Sequence, residues 1–493
     1  MEMGKIADSK EVIYIPSGNI SDNQQELIRD DEHKRRETLF LHLSAFTACM
    51  VLFAGTTDMV WTSPVIPKLK SNDSDINPLG QPITAYQISL IAGLPALTLV
   101  VGGLAFAKLP NLIGRKRAIM CMAAGMLASN IAVACGGHVY VYYVGRSAFS
   151  LFRGAASIAV PIYLSEICED CNRVKFGCLM GLANPAGNLF GYLVGPVTSV
   201  RVFTLLCVAP LVPSLLFFST VVPESPVYLA SVKDRVGSIR ALGKLRRYEE
   251  PEEIERDYKR IEESLEARAG VKSSGFLSLF KTRAVRRGLL IGVGLKLAQN
   301  FAGVVVIMSF LGPMFNDAGT RLSGNSVAIL VGIVKIITFL VTSFTVEKVG
   351  RRPLLLFSCI GSGIPLFFLG LYFYWKNNNQ MFIEDIRWLP IVCILGYIIF
   401  FSLGLGPIPI ALVSQLFPSD IISVAISFTM TIMAIVVFLL TSAYPIVSEI
   451  LGVHYFIWLF SMCCFVSSGF IYFMVPETKG KSILEIQKLL EKK

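Results

Sequence analysis

The chain is made of apolar stretches about 20 residues long, and that length decides what it can fold into. An α-helix rises about 1.5 Å per residue, so roughly 20 apolar residues cross the hydrocarbon core of a bilayer. Twelve stretches qualify, near 41–62, 87–107, 117–136, 139–165, 176–196, 201–222, 288–310, 325–346, 353–375, 389–411, 422–442 and 455–475. Lipid gives an exposed peptide group no hydrogen-bond partner, so a spanning segment is a helix or a strand of a closed barrel. These stretches lack the alternation of barrel strands. Composition agrees: 53% of the 493 residues are hydrophobic and 16% are charged, where a soluble protein carries about 25% charged residues.

A polar stretch divides the twelve into two sets of six. Each set ends alike, with Val222-Pro223-Glu224-Ser225 and with Val475-Pro476-Glu477-Thr478. Each also carries a basic turn, Gly114-Arg115-Lys116-Arg117 and Gly350-Arg351-Arg352-Pro353. The expected organisation is an N-terminal tail (1–38), a six-helix bundle (39–222), a helical linker (223–286), a second six-helix bundle (287–475) and a C-terminal tail (476–493). In the linker, Ile254, Tyr258, Ile261 and Leu265 form one apolar stripe, with Pro251 at a helix start and Gly270 at its stop. Ser482 and Glu485 form a capping box in the C-terminal tail. Solvated helices beneath the membrane domain are the plain reading; docking of a cytosolic partner on the linker is the sharper one.

Basic residues set the orientation. With both termini in the cytosol, only Lys68, Lys70, Arg201, Arg321, Lys376 and Arg387 fall outside, and Arg146, Arg153, Lys296 and Lys335 lie in spans. Asn72-Asp73-Ser74 then sits on an external loop as a glycosylation sequon. The net charge of +10 is spread rather than gathered in a patch, which argues against a nucleic-acid partner. The partners expected are the bilayer and a small solute. No phosphate-binding loop, nucleophile elbow or metal-ligand spacing occurs, so no catalytic residue, cofactor or metal is expected. The four histidines lie in tails or near span ends, which excludes a mid-membrane histidine relay.

Two patterns within the spans point to transport. Gly404-Leu405-Gly406-Pro407-Ile408-Pro409 should break the tenth span, because proline has no N–H to donate; interrupted helices line cavities in transporters. Gly187, Gly191 and Gly195 make a small-residue face for close packing. In-span charges are functional candidates because lipid makes them costly. Asp58 and Arg146 can form a structural ion pair or, on the sharper reading, a proton switch. Lys296 and Lys335 would favour an anionic or strongly polar solute if they share a cavity.

Gly145-Arg146, Gly154, Pro161-x-Tyr163-x-x-Glu166, the Pro-Glu-Ser-Pro at 223–226 and the Pro-Glu-Thr-Lys-Gly-Lys-Ser at 476–482 resemble the sugar-porter branch of the major facilitator superfamily. Trp61-Thr62-Ser63-Pro64 and Gly406-Pro407-Ile408-Pro409 look most like facilitated trehalose transporter-like proteins. The resemblance covers roughly residues 40–490. It implies an all-α membrane protein whose two pseudo-symmetric bundles rock about a central site, moving a sugar such as trehalose or a hexose across the plasma membrane by facilitated diffusion. It implies a cytosolic charge network at Arg115, Glu166, Arg173, Glu347, Arg351 and Arg352, and solute contacts at Gln299, Asn300, Asn184 and Lys335. There are departures. Asn111 stands where the family has an acid, and Gln415 and Ile422 replace a glutamate and an arginine. Val305, Lys335, Ile410 and Met433-Ala434 replace sugar-binding residues. The eroded pocket leaves two alternatives open: a non-transporting sensor or adaptor, and a carrier of a non-sugar, anionic solute.

Overall fold

The computed structural model describes residues 3–8, 11–16, 37–248, 251–269, 279–280, 282–378, 380–417, 421–477 and 485. Gly270 and Ser482 lie outside them, as do the side chains of Glu347 and Gln415. A hairpin of β1 (Met3–Asp8) and β2 (Glu11–Pro16) stands in the N-terminal tail. The rest is almost wholly helical.

The first half runs through α1 (Leu39–Met59), α2 (Thr62–Leu69), α3 (Ala85–Ala105), α4 (Leu109–Ile113), α5 (Arg115–Cys135), α6 (Val139–Ile167), α7 (Asp170–Val194), α8 (Val200–Val208) and α9 (Leu211–Thr220). The linker holds α10 (Pro226–Ser231), α11 (Arg235–Leu245) and α12 (Pro251–Ala269). The second half runs through α13 (Arg283–Phe301), α14 (Val304–Ala318), α15 (Gly324–Val349), α16 (Arg351–Asn377), a 3-10 turn (Met381–Glu384), α17 (Leu389–Leu403), α18 (Ile408–Leu416), α19 (Ile422–Ile450) and α20 (Val453–Met474). Among the described residues, eleven segments are long and apolar enough to cross a membrane. The remaining expected span is α7, which is long enough at 25 residues but carries Asn172, Arg173, Lys175, Asn184 and Asn188.

Four expected spans are each two helices. The tenth breaks at Gly404–Pro407, as its glycines and prolines predict. The first breaks between Met59 and Thr62, where Pro64 cannot donate to the carbonyl of Val60. The sixth breaks at Ala209-Pro210. The seventh breaks at Gly303, whose φ of 82° is a left-handed conformation open to glycine.

The repeated motifs turn out to be one device used twice. Gly114 (φ 98°) and Gly350 (φ 99°) turn the chain into α5 and α16. Glu224 then accepts from the backbone N–H of Lys116 at 2.9 Å, and Glu477 accepts from those of Arg351 at 3.3 Å and Arg352 at 3.1 Å. In each half the closing Pro-Glu motif places a carboxylate on the positive end of the helix that the Gly-Arg motif opens.

The halves meet chiefly along three helix pairs, α3 with α19, α7 with α15, and α2 with α14, with a smaller contact of α1 with α14. Val60, Trp61 and Leu69 of the first half share one apolar core with Met308, Phe310 and Leu311 of the second. A separate core around Phe149, Tyr163 and Phe218 belongs to the first half and takes in Leu245 of the linker. Glycine permits the closest approaches. A Cβ on Gly102 would stand 1.8 Å from the carbonyl oxygen of Leu151, and one on Gly154 equally close to that of Leu99. The glycine row of α7 packs as expected: Cβ atoms on Gly187, Gly191 and Gly195 would strike Thr56, Val60 and Pro64. Gly154→Ala is expected to destabilise the first half by about 1–3 kcal/mol, seen as a lower thermal midpoint in detergent.

Candidate solute-binding site

Between the halves lies a cavity of about 250 Å³. Its walls come from α1, α2, α3 and α6 on one side and from α13, α14 and α19 on the other. The first and seventh spans break beside it, placing Met59 and Thr62 opposite Asn300 and Val305.

At the face away from the linker, α2 and α14 seal the cavity with short polar contacts. Thr62 Oγ1 donates to the Ser309 carbonyl at 2.7 Å, and the Gly312 N–H donates to Ser63 Oγ at 2.9 Å. Tyr192 on α7 reaches across to the Met308 carbonyl at 2.8 Å. Ser89 on α3 donates to the Ser442 carbonyl on α19 at 2.6 Å, and Ser442 returns a longer bond of 3.4 Å to the Ser89 carbonyl.

Asp58 and Arg146 form the buried ion pair that their positions in the sequence allowed, at 3.1 Å. The pair is well supported. Arg146 also donates to the carbonyls of Ile91 and Asp58 at 3.3 and 3.4 Å and stacks 4.3 Å from the Trp61 ring. Trp61 is anchored by a 2.9 Å bond to Thr204. The arrangement is that of a satisfied buried pair, in which each charge lowers the cost of the other.

Gln299 and Asn300 both line the cavity. Gln299 is already engaged at both ends. Its Nε2 donates to the Gly406 carbonyl at 2.7 Å, an acceptor freed by the break in the tenth span. Its Oε1 accepts from Lys296 at 2.9 Å. Asn300 donates to the Lys296 carbonyl at 2.9 Å and approaches the Met433 sulfur at 3.2 Å. Asn184 and Lys335 stand apart from this wall, at the α7–α15 contact. There Asn188, turned so that its nitrogen donates to the Thr56 carbonyl at 3.0 Å, accepts from Lys335 Nζ at 2.7 Å. The residues expected to bind solute thus fall into two groups, one on the cavity and one beside it. Sequence reasoning passed over Arg153, which lines the same cavity and donates to the Gly55 carbonyl at 3.1 Å.

The expected charge network divides between the halves. Arg115 grips Glu166 with two bonds of 2.9 Å, and Ser225 Oγ donates to the same carboxylate at 2.5 Å. Arg352 lies over the Tyr472 ring at 5.5 Å. Arg173 is on the first turn of α7. The linker is tied to the first half by Arg246, which pairs with Glu169 at 3.2 Å and with Asp257 on α12 at 2.6 Å. Burial opposes the Arg246 charge, but Tyr248, Glu169 and Asp257 together hold its pKa above the ordinary value.

A second, larger cavity of about 680 Å³ lies among α13, α19 and α20. Its walls are apolar apart from Arg286 and Ser467, without the converging polar groups that a hydrophilic solute needs. Asp58→Asn is expected to cost about 3–5 kcal/mol by stranding Arg146. Adding Arg146→Gln should recover part of that loss, measured as the thermal midpoint in detergent.

A family profile described as "Sugar (and other) transporter" matches residues 56–490. The chain is 29% identical over 429 residues to the facilitated trehalose transporter Tret1 of Aedes aegypti, covering 87% of this chain and 52% of that protein. It is 29% identical over 412 residues to the facilitated trehalose transporter Tret1-2 homolog of Drosophila simulans, covering 82% of this chain and 83% of that one. The chain therefore spans about half the length of the Aedes aegypti relative. An inward-open structure of the xylose transporter XylE from E. coli has the same fold, with a TM-score of 0.73 at 20% identity over 91% of this chain and 99% of that one. The chain belongs to the sugar (and other) transporter family and has the two-bundle fold of the major facilitator superfamily.

Proposed function

We propose that the chain carries a small polyhydroxylated solute, a sugar such as a hexose or trehalose, across the plasma membrane by alternating access. The observation that carries this reading is the cavity on the boundary between the halves, closed at the face away from the linker by a few short polar contacts. Rocking of the halves would break those contacts and open that face. In the other state, charged bonds at the linker face would close it. Arg115, Glu166, Arg173, Glu347, Arg351 and Arg352 are the residues proposed to bias that second equilibrium.

On this reading the termini and linker are cytosolic, and Asn72, exposed on the loop between α2 and α3, is the glycosylation site. Gln299 and Asn300 supply hydrogen bonds to solute hydroxyls, while Met430, Met433 and Val437 offer an apolar face to the C–H side of a ring. The volume, about 250 Å³, lies just below the usual range for ligand sites, about 300–1,000 Å³, and so favours a monosaccharide over a disaccharide in this state. Facilitated diffusion suits the Asp58–Arg146 pair, whose two groups are already matched to each other within the protein. Asn184 and Lys335 act at the α7–α15 contact as the halves slide.

A second reading is a sensor that binds solute without moving it and signals through the linker. It is favoured by one observation, that both polar ends of Gln299 are taken up within the protein.

Two measurements in proteoliposomes separate the readings. In a Ser89→Cys/Ser442→Cys variant, oxidation is expected to stop glucose or trehalose uptake and reduction to restore it; full flux through the cross-linked protein would sink alternating access at this face. Gln299→Ala is expected to lower uptake several-fold to about tenfold, the worth of one or two hydrogen bonds. Binding without uptake in the intact chain would favour the sensor.

A further inference from the structure

The charges on the cavity wall do not balance, and we infer that the solute supplies the missing negative charge: an acidic sugar, bearing a carboxylate beside its hydroxyls. The inference rests on the cavity being the solute site and names the class of solute that it takes.

Charged groups at membrane depth pair with one another or with backbone carbonyls, or face a water-filled space. Among the described residues, the wall carries one carboxylate, Asp58, and three cations, Arg146, Arg153 and Lys296. Asp58 and Arg146 form an ion pair. Neither Arg153 nor Lys296 has an ion pair among the described residues. Arg153 Nη1 donates to the Gly55 carbonyl, and its buried Nε has no partner. Lys296 is only 5% exposed and donates to the neutral amide oxygen of Gln299. A fourth cation, Lys335, stands behind the wall on the neutral amide of Asn188. Among the described residues the cavity wall is thus left with an excess of positive charge over its one carboxylate, Asp58.

The space fixes the kind of anion. At about 250 Å³ it holds roughly eight waters by volume, far more than a bare inorganic anion fills. Thr62, Asn300, Ser309 and Thr441 provide hydroxyl and amide partners for a polyol. A hexuronate matches this pattern: its carboxylate faces Lys296 and Arg153, and its hydroxyls face the neutral polar groups. Val305, Met433 and Ala434, which stand in place of the family's sugar ligands, line the same cavity as apolar side chains, so its unpaired charge comes from Lys296 and Arg153.

The test uses the full chain in proteoliposomes, with glucuronate and glucose as probes, no pH gradient and the membrane potential clamped. Glucuronate uptake is expected to exceed glucose uptake by about tenfold, the size of one charge-assisted hydrogen bond. Lys296→Gln should lower that ratio by about tenfold, whereas Lys296→Arg should keep it, with size-exclusion profiles establishing that both are folded. Glucose uptake without glucuronate uptake would overturn this inference and leave the proposed transport standing. A ratio unmoved by both Lys296→Gln and Arg153→Gln would also overturn it. Uptake of neither probe, nor of trehalose, would overturn both readings.

Discussion

Every peptide group in the hydrocarbon must find a partner inside the protein, because lipid supplies none. A helix meets this demand automatically; a broken helix does not. The spans that break therefore each acquire a specific side chain. Gln299 takes the Gly406 carbonyl, and Ser358 Oγ accepts the Leu405 N–H at 2.9 Å. Thr342 donates to the Ser402 carbonyl at 3.1 Å. Tyr397 donates to the Ala302 carbonyl at 2.8 Å, at the break in the seventh span. These bonds allow irregular backbone at membrane depth, and the irregular backbone is what makes room for a cavity.

The same economy appears in the packing. Helix pairs across the boundary match under exchange of the halves: the second span of one half meets the fifth of the other on both sides, and the two first spans meet each other. Hydroxyls, glycines and carbonyls form most of the named contacts at the closed face. Such contacts are individually worth about 1 kcal/mol, so the closed face is held by several weak bonds rather than by one strong one.

Much of this was legible in the sequence. The length of the apolar stretches gave the spans, and the cost of charge in lipid paired Asp58 with Arg146 before any distance was known. Proline and glycine marked the break in the tenth span because their effect is local. The breaks in the first and seventh spans were not foreseen. Trp61 through Pro64 and the lone Gly303 are weak local signals, and the bonds that stabilise the breaks come from other helices. The double engagement of Gln299 and the separation of Lys335 from the cavity were equally hidden, since both depend on the relative placement of distant helices. Arg153 was counted as an in-span charge but not assigned to the site. Nothing in its spacing says that it shares a wall with Lys296, which lies in the other half.

The grip of Arg246 on Glu169 and Asp257 has a mechanical meaning. Thr38 Oγ1 adds to it by donating to the carbonyls of Lys244 and Leu245 at 2.9 and 2.8 Å. The linker helices are thus fastened to the first half and share its frame of reference. A protein that held them would be fixed to the first bundle alone. Tethering the chain in this way would make the first half the stator of any relative motion between the two, without any contact at the central cavity.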